Sequence, residues 1–363
     1  MTASAKCSAS PESRLLFKPF LRKIGSGERT SSGLSRDEAK QAIQMIVEGG
    51  ASPAQIGAFL IAHRIRRPEP QELAGMIDYY RQVGPRLTSQ RQAFSFGMPF
   101  DGRTRTAPLY PLTSLLLAAC GYAVVLQGGE RMPVKYGVTP QELFAGLGLS
   151  LSGLSIQQVQ DGLDRFGLAL MHQPDHFPIA QSLIPYREDL GKRPPVASLE
   201  LLWSCLASPH LLVSGFVHPP TETRAWQTLR LAGERDVMTV KGLEGSTDLP
   251  TGRSNITAHV LDGDVMRHIL HPREFGCDQA DPAWQGEGQW SELALQALRG
   301  QGPLYKPLLW NVGVYLWIVE AKKNVSPISI LPDYIERARQ LIYSQTAIKL
   351  LSQVTAWRNS LAT

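Results

Sequence analysis

The feature that most constrains the fold is an alternation, from about residue 94 onward, of short apolar runs with longer stretches of helical periodicity. The short runs lie at 122–127, 211–216 and 236–241, and the helical stretches lie at 113–120, 140–146, 155–166 and 221–232. Strand, helix and strand repeated in this order predict a mainly parallel sheet with helices on its faces. Residues 252–305 are rich in Gly, Pro, Asp and His and are predicted to be irregular, and residues 308–357 are predicted to be helical.

The first part of the chain has a different pattern, in which apolar residues recur every three or four positions. Ser35 stands three residues before Glu38, as in a capping box, and Ser52 is followed by a proline that suits the first position of a helix. This pattern predicts a small helical module from residue 14 to about residue 86. Residues 1–12 are small and polar, which is typical of a disordered tail.

Composition excludes several classes of protein. Of the 363 residues, 43% are hydrophobic and 19% are charged, as in ordinary globular proteins. No window approaches the roughly 18 apolar residues of a membrane span, and no secretory signal is recognisable. The four cysteines lack the short spacings of metal ligands, so we expect reduced thiols in a cytoplasmic protein. The net charge of +5 is compatible with a polyanionic partner but does not identify one.

The segment Gly97 to Gly102 follows a predicted strand, where a glycine loop that binds phosphate is expected. A diphosphate is held by successive backbone N–H groups on a loop that is bare enough for its oxygens to approach. Pro99 has no N–H to donate, and Met98 and Phe100 add bulk where glycine would leave space. The loop is therefore built differently from a phosphate cradle.

The order of these features resembles the anthranilate phosphoribosyltransferase family, which belongs to glycosyltransferase family 3 and shares a helical domain with class II nucleoside phosphorylases. The strongest matches are residues 23–27 (KIGSG), 34–39 (LSRDEA) and 51–60 (ASPAQIGAFL). Weaker matches continue through Gly121, Gly128, 186–193 (YREDLGKR) and 310–313 (WNVG). The resemblance covers nearly the whole chain.

This resemblance implies an α/β protein in which a small all-α N-terminal domain packs on a larger domain with a mainly parallel central sheet. We expect the helical domain at 13–90, with 176–209 returning to it, and the α/β domain at 91–175 and 210–363. Family members with this fold form homodimers through the N-terminal helices.

Several positions differ from the residues that family enzymes use to bind phosphoribosyl pyrophosphate and magnesium. Of the family's Gly-Thr-Gly-Gly-Asp-Gly loop, only Gly97, Asp101 and Gly102 remain. The Asn-Ile-Ser-Thr motif falls on 108–111 (PLYP), and the Lys-His-Gly-Asn-Arg strip falls on 126–130 (LQGGE), which keeps Gly128 and has Gly129 in place of the Asn. The magnesium-binding Asp-Glu pair is reduced to Asp248 with Glu244 nearby, whereas the anthranilate-contacting arginine has a counterpart in Arg187.

These losses resemble a diverged branch of the family whose members bind nucleic acid as homodimers. The resemblance implies a groove between the domains in which seven cations bind a phosphodiester backbone. They are Arg103, Arg105, Arg131, Lys135, Arg187, Lys192 and Arg193. The other interpretation of these cations is solvated surface charge paired with neighbouring acids.

The two functions imply different cofactors. The nucleic-acid interpretation needs no cofactor and leaves the choice of DNA or RNA open. The alternative is a phosphoribosyltransferase that acts on anthranilate or another acceptor, and it would require Mg²⁺ at Glu244 and Asp248. Two carboxylates in a Gly- and Ser-rich segment are also typical of a plain turn. No catalytic residue is predicted.

Overall fold

The computed structural model describes residues 9–27, 29–320 and 328–361. Its first domain consists of four helices with proline or serine signals at their starts. The helices are α1 (Pro11–Gly25), α2 (Arg36–Val47), α3 (Pro53–Arg66) and α4 (Pro70–Val83). Ser35 and Ser52 form capping boxes with Glu38 and Gln55, as their spacing predicts. Helix α1 packs on α3, and α2 packs on α4.

Within the described residues, a sheet of seven strands forms the centre of the second domain. The strands are β1 (Ala93–Gly97), β2 (Ala123–Gly128), β3 (Leu168–His172), β4 (Leu211–Gly215), β5 (Asp236–Val240), β6 (Asn255–Leu261) and β7 (Asp264–Leu270). Their order in the sheet is β3-β2-β1-β4-β5-β6-β7. The first five strands run parallel, and Ser95 of β1 lies opposite Val125 and Leu212 on its two neighbours. The whole of β1 is buried, as expected for the central strand of a covered parallel sheet.

The remaining helices cover this sheet and connect it to the first domain. They are α5 (Tyr110–Ala119), α6 (Pro140–Gly146), α7 (Ile156–Phe166), α8 (Gln173–His176), α9 (Pro178–Gln181), α10 (Ile184–Leu190), α11 (Leu199–Leu202), α12 (Pro219–Leu231), α13 (Glu287–Ala297), α14 (Tyr305–Glu320), α15 (Leu331–Tyr343) and α16 (Thr346–Ser360). Helix α14 is almost wholly apolar and buried, with Trp310 and Trp317 in the core. Fold class and a mainly parallel sheet are as predicted from the sequence.

The prediction of irregular structure over residues 252–305 is wrong. This region contains the antiparallel hairpin of β6 and β7 and the helix α13. Asp262 and Gly263 join the two strands, and both have positive φ, as a two-residue hairpin turn requires. The Asp-Gly pair between alternating apolar residues was a hairpin signal that the Gly and Pro content of the region concealed.

Two groups of contacts join the domains. Arg36 of α2 and Arg81 of α4 donate to the backbone carbonyls of Leu231 and Ala232 at the end of α12. Helix α10 and the 3₁₀ turn at Pro195–Ser198 pack against α3. A groove therefore lies between α3 with its neighbouring segment and the sheet of the second domain.

None of the helices in the described parts of the chain combines the length and the apolar character that crossing a bilayer requires.

A buried carboxylate connects three helix ends within the first domain. Glu72 is fully buried and accepts hydrogen bonds from the backbone N–H groups of Leu34 (2.9 Å) and Glu69 (2.6 Å). It also contacts the Arg66 guanidinium and lies 3.3 Å from Nε2 of His63. Burial raises the pKa of Glu72, but the His63 contact and the two N–H donors outweigh it and lower the pKa from 4.5 to about 2.

We expect Glu72→Gln to destabilise the protein by about 3 kcal/mol at pH 7, because the substitution leaves buried partners without a charge. Since the folded pKa is depressed, the carboxylate's contribution is complete above the unfolded pKa and is lost as the pH falls towards 2. Denaturant unfolding should therefore show the difference from wild type shrinking between pH 5 and pH 2. Glu336→Gln, at an exposed pair with Arg339, is the control and should cost less than about 0.5 kcal/mol. If the Glu72→Gln protein is as stable as this control, the buried Glu72 carboxylate does not stabilise the fold as we expect.

Candidate functional site

The groove lies at the point where the strand order of the sheet reverses. The chain passes from β1 to β2 and β3 on one side and then returns to β4 on the other side of β1. Ligands of open α/β sheets bind outside the carboxyl ends of strands at such a point. One wall of the groove consists of Pro99, which follows β1, and of residues 214–221, which span the end of β4 and the start of α12.

The second wall comes from the helical domain and the segment that packs on it. Arg64, Ile65 and Arg67 lie at the end of α3, and residues 191–195 lie opposite the sheet. The space is open to solvent and has a volume of about 1230 Å³, somewhat above the roughly 300–1,000 Å³ of most small-molecule pockets. We call this space the interdomain groove.

The described residues that line the interdomain groove carry a strong excess of positive charge. Its arginines and lysines are Arg64, Arg67, Lys135, Lys192, Arg193 and Arg224. The acidic lining consists of Glu200 alone, and Arg187 neutralises that carboxylate. Val134 and Val217 add exposed apolar surface, 44% and 46% accessible, at the foot of the walls.

The cations of the interdomain groove divide into two groups. Arg193 makes a bidentate pair with Asp101, at 2.7 and 2.6 Å, and Lys135 contacts Glu244 at 3.2 Å. Arg64, Arg67, Lys192 and Arg224 have no carboxylate partner within the described part of the chain. Arg64 donates to the Arg193 carbonyl, but no described carboxylate neutralises any of the four charges, so they are available to an anionic ligand.

The loop from Gly97 to Gly102 is closed by protein atoms. Met98 and Phe100 are buried, and the Phe100 N–H donates to Glu200 at 2.7 Å. A Cβ on Gly97 would lie 2.3 Å from the Leu201 carbonyl oxygen, and a Cβ on Gly102, whose φ is +74°, would lie 2.4 Å from the Val138 carbonyl oxygen. The two remaining glycines thus allow close approach of other backbone segments.

Asp101, the third retained residue of this loop, is fully buried within a chain of ion pairs. Its carboxylate binds Arg193 and lies 3.4 Å from Nη2 of Arg187. Nη1 of Arg187 donates to Glu200 at 2.5 Å. Burial raises the pKa of Glu200 despite the opposing Arg187 charge. Arg187 is 2% exposed, so its guanidinium is committed to carboxylates of the chain itself.

A second buried cluster lies below the same loop. Arg103 contacts the Asp248 carboxylate directly, and its Nε lies 3.8 Å from Glu244. The three side chains are 4%, 2% and 8% exposed, and the neighbouring cavity has a volume of only about 10 Å³. The Arg103 guanidinium therefore lies between the two carboxylates that would hold Mg²⁺ under the phosphoribosyltransferase alternative.

The pKa shifts of Glu244 and Asp248 reflect their burial and their contacts with protein donors. Burial raises the pKa of Glu244, but backbone N–H donors from Arg105 and Thr104 and the charge of Lys135 lower it to about 2. Burial raises the pKa of Asp248, and it outweighs the lowering effect of Arg103 and of the Leu109 N–H. Glu244 is thus a stable anion whose oxygens already accept from residues 104–106.

Mg²⁺ does not fit the site in this arrangement. The ion requires near-octahedral oxygen ligands at about 2.0–2.1 Å and one or two free carboxylates. Arg103 takes the space and charge that the ion would need, and the oxygens of Asp248 and Glu244 accept hydrogen bonds from protein donors. Within the described residues, no cluster of three or more acidic, His or Cys side chains is arranged to hold a metal.

The groove lining includes three of the seven cations that we expected to find there, Lys135, Lys192 and Arg193. Arg103 and Arg187 are buried beneath it, and Arg105 is exposed outside its lining. Arg131 lies outside as well and pairs with Glu142 and Glu287. The two glycines after β2 pack on other residues, Gly128 on Pro140 and Gly129 on Met132.

Three groove cations, Arg64, Arg67 and Arg224, were not predicted from the sequence. Arg64 and Arg67 lie at the end of α3, where cations complement the helix dipole. Because the helix dipole alone accounts for cations at these positions, the sequence does not indicate that they also line the groove. Arg224 lies in the first half of α12, and no local sequence signal marks it.

Comparisons with known proteins agree with this architecture. Residues 18–84 match the helical bundle domain of the glycosyl transferase family. An anthranilate phosphoribosyltransferase from Chromobacterium violaceum is 27% identical over 88% of this chain and 92% of its own length. The corresponding protein from Persephonella marina is 25% identical over 93% of this chain and 98% of its own length.

Solved structures show the same fold. The anthranilate phosphoribosyltransferase of Thermus thermophilus superposes with a TM-score of 0.74 at 23% identity, over 93% of this chain and 98% of that one. The Saccharomyces cerevisiae protein in complex with PRPP and Mg superposes with a TM-score of 0.77 at 15% identity, over 94% and 98%. Over nearly its whole length the chain is therefore similar to anthranilate phosphoribosyltransferases, and it shares their fold.

Proposed function

We propose that this protein is a nucleic-acid-binding member of the family in which the phosphoribosyl pyrophosphate and magnesium motifs are degenerate. The observation that carries the proposal is the lining of the interdomain groove, where six arginines and lysines face one carboxylate that is already paired. Such a surface attracts a polyanion more strongly than it attracts a single phosphate ester.

The placement of the free cations supports a backbone-binding mode. Arg64 and Arg67 lie on one wall, Lys192 lies on the adjoining segment, and Arg224 lies on the opposite wall in α12. A phosphodiester chain along the groove would release counterions at each of these contacts. Arginine and lysine contacts to phosphate position a strand without reading its bases, so binding is independent of sequence.

The buried clusters argue against the usual chemistry of the fold. Pyrophosphate displacement needs open backbone donors and a metal to stabilise charge. In this chain Glu200 accepts the Phe100 N–H, and the Arg103 guanidinium lies between Asp248 and Glu244. An internal ion-pair cluster thus takes the place of a ligand.

The alternative is a phosphoribosyltransferase that acts on anthranilate or an altered acceptor. It is favoured by relatives named for that activity, which match this chain nearly end to end. For this alternative, Arg103 would have to leave both carboxylates when phosphoribosyl pyrophosphate and Mg²⁺ bind. The cost is that of breaking a buried ion pair, about 3–5 kcal/mol.

We also propose that the protein is a homodimer formed through its N-terminal helices. Leu15 and Leu16 of α1 are each 60% exposed, whereas Phe17 and Phe20 of the same helix are buried. Adjacent exposed leucines are typical of a surface covered by another chain. A twofold dimer would place two interdomain grooves in one particle and would strengthen binding to a long strand.

Nucleic-acid binding is tested with a fluorescently labelled single-stranded oligonucleotide of mixed sequence, by anisotropy over a series of salt concentrations. We expect affinity to fall steeply with salt. Lys192→Gln and Arg224→Gln should each reduce the slope of log K against log salt by about 1, because each removes one phosphate contact. Neither side chain has an ion pair within the described residues, so folding should be unaffected.

Arg105→Gln and Arg131→Gln are the matched controls, since both remove an exposed positive charge outside the interdomain groove. Their slopes should stay close to that of the wild type. Absence of binding at low salt, or an equal loss in all four variants, would contradict a role for the interdomain groove.

The dimer is tested by sedimentation equilibrium. We expect a dimer for the wild-type protein and a monomer for Leu16→Glu, because a carboxylate at a buried apolar contact costs several kcal/mol. Val265→Glu is the control, since Val265 is 47% exposed on the edge strand β7, away from α1. A monomeric wild-type protein would exclude this assembly.

A further inference from the structure

Apolar side chains lie among the cations of the interdomain groove. Ile65, Val134 and Val217 line the groove and are 77%, 44% and 46% exposed. Single apolar residues scattered over a surface need no ligand, whereas apolar groups gathered inside a cleft favour a ligand that has apolar surface of its own. A phosphodiester backbone has little such surface, so the binding of phosphate leaves these three side chains unexplained.

The two valines belong to one apolar surface at the carboxyl edge of the sheet. Cγ2 of Val217 and Cγ of Pro99 lie 3.4 and 3.6 Å from the position that a Cβ on Gly245 would take. Val134 lies beside them, because its N–H donates to the carboxylate of Asp101 at 3.3 Å, two residues after Pro99. We call Pro99, Val134 and Val217 the apolar floor of the groove.

Positive charges flank the apolar side chains on both walls. Ile65 lies beside Arg64 and two residues before Arg67 at the end of α3, on the wall opposite the apolar floor. On the other wall, Arg224 lies in α12, which begins two residues after Val217. A ligand that lies along the groove therefore meets cations and apolar surface side by side.

The groove offers aliphatic rather than aromatic contacts. Among the described lining residues, the one Phe, Tyr or Trp is Phe216, which is 4% exposed. Proteins that bind single strands without sequence preference commonly stack bases on exposed aromatic rings. An aliphatic side chain instead contacts the apolar face of a base and makes no hydrogen bond to its edge, so it does not distinguish one base from another.

We propose that the ligand of the interdomain groove is single-stranded nucleic acid, whose unpaired bases lie against Ile65 and the apolar floor. This inference rests on the proposed nucleic-acid binding, in which the phosphates bind Arg64, Arg67, Lys192 and Arg224. Bases of a single strand can turn away from one another and expose their faces. In a duplex the faces are stacked and the edges are paired, so the apolar side chains gain no such contact.

The test compares three fluorescently labelled probes of equal length by anisotropy over a series of salt concentrations, with the full chain. The probes are a single strand of mixed sequence, the same strand with abasic sites in place of its bases, and the duplex. Affinities are compared after extrapolation of log K to about 1 M salt, where counterion release no longer contributes. We expect the abasic strand and the duplex to bind about tenfold more weakly than the normal strand, because neither presents unpaired bases.

Ile65→Ser and Val217→Ser should each weaken binding of the normal strand by about threefold, because each removes apolar area that a base covers. Neither variant removes a charge, so the salt slope should stay at the wild-type value. Binding of the abasic strand should be unchanged in both. Val265→Ser is the matched control, since Val265 is 47% exposed on β7, outside the groove, and it should bind like the wild type.

The outcomes separate this inference from the function on which it rests. If no probe binds at low salt, nucleic-acid binding and the base contact are both excluded. If the normal and abasic strands bind equally well with a steep salt dependence, the groove binds the backbone alone and the base contact is overturned. Wild-type affinity of Ile65→Ser and Val217→Ser for the normal strand would overturn it as well. Both side chains are exposed, so both variants should fold, and thermal unfolding checks this.

Discussion

The contact on which the functional architecture depends is the buried placement of the Arg103 guanidinium against Asp248 and near Glu244. Charges removed from water this completely are tolerated only when they are paired. Arg103 follows β1, whereas both acids follow β5, so the pair fixes the relative positions of two loops at the carboxyl edge. The same pair occupies the space between the two carboxylates that the phosphoribosyltransferase alternative assigns to Mg²⁺.

Burial determines whether a cation near the interdomain groove pairs with a carboxylate of the chain or faces solvent. Arg187 and Arg103 neutralise carboxylates of the chain, and their charges do not extend into solvent. Lys192 and Arg224 face the groove without a carboxylate partner in the described structure. Under the function that we propose, the groove attracts phosphate through these unpaired cations, whereas the buried arginines beneath it are paired with carboxylates of the chain.

Local sequence signals predicted much of the fold. The serine caps of α2 and α3 and the apolar runs of β2, β4 and β5 depend on neighbours in the sequence, so they are visible in the chain itself. The hairpin of β6 and β7 was missed, although Asp262 and Gly263 carried its signal. The Gly and Pro content of the whole region predicts irregular structure, whereas only these two residues indicate the hairpin.

The candidate site was less predictable because its charges are set by contacts between distant segments. The retained Asp101 and Arg187 could be identified by resemblance, but their pairing with Arg193 and Glu200 could not. Exposure of Arg224 towards the groove depends on how α12 packs on α4, which no local pattern encodes. The sequence therefore indicated a basic groove without identifying which cations are free.

The most direct measurement is isothermal titration calorimetry of the full chain with phosphoribosyl pyrophosphate in the presence of Mg²⁺. The Saccharomyces cerevisiae enzyme, whose structure contains PRPP and Mg, is the positive control. Because Arg103 occupies the space between Asp248 and Glu244, we predict no saturable heat at millimolar ligand. A saturable, Mg²⁺-dependent heat would show that the ion pair opens for the substrate and would contradict this account.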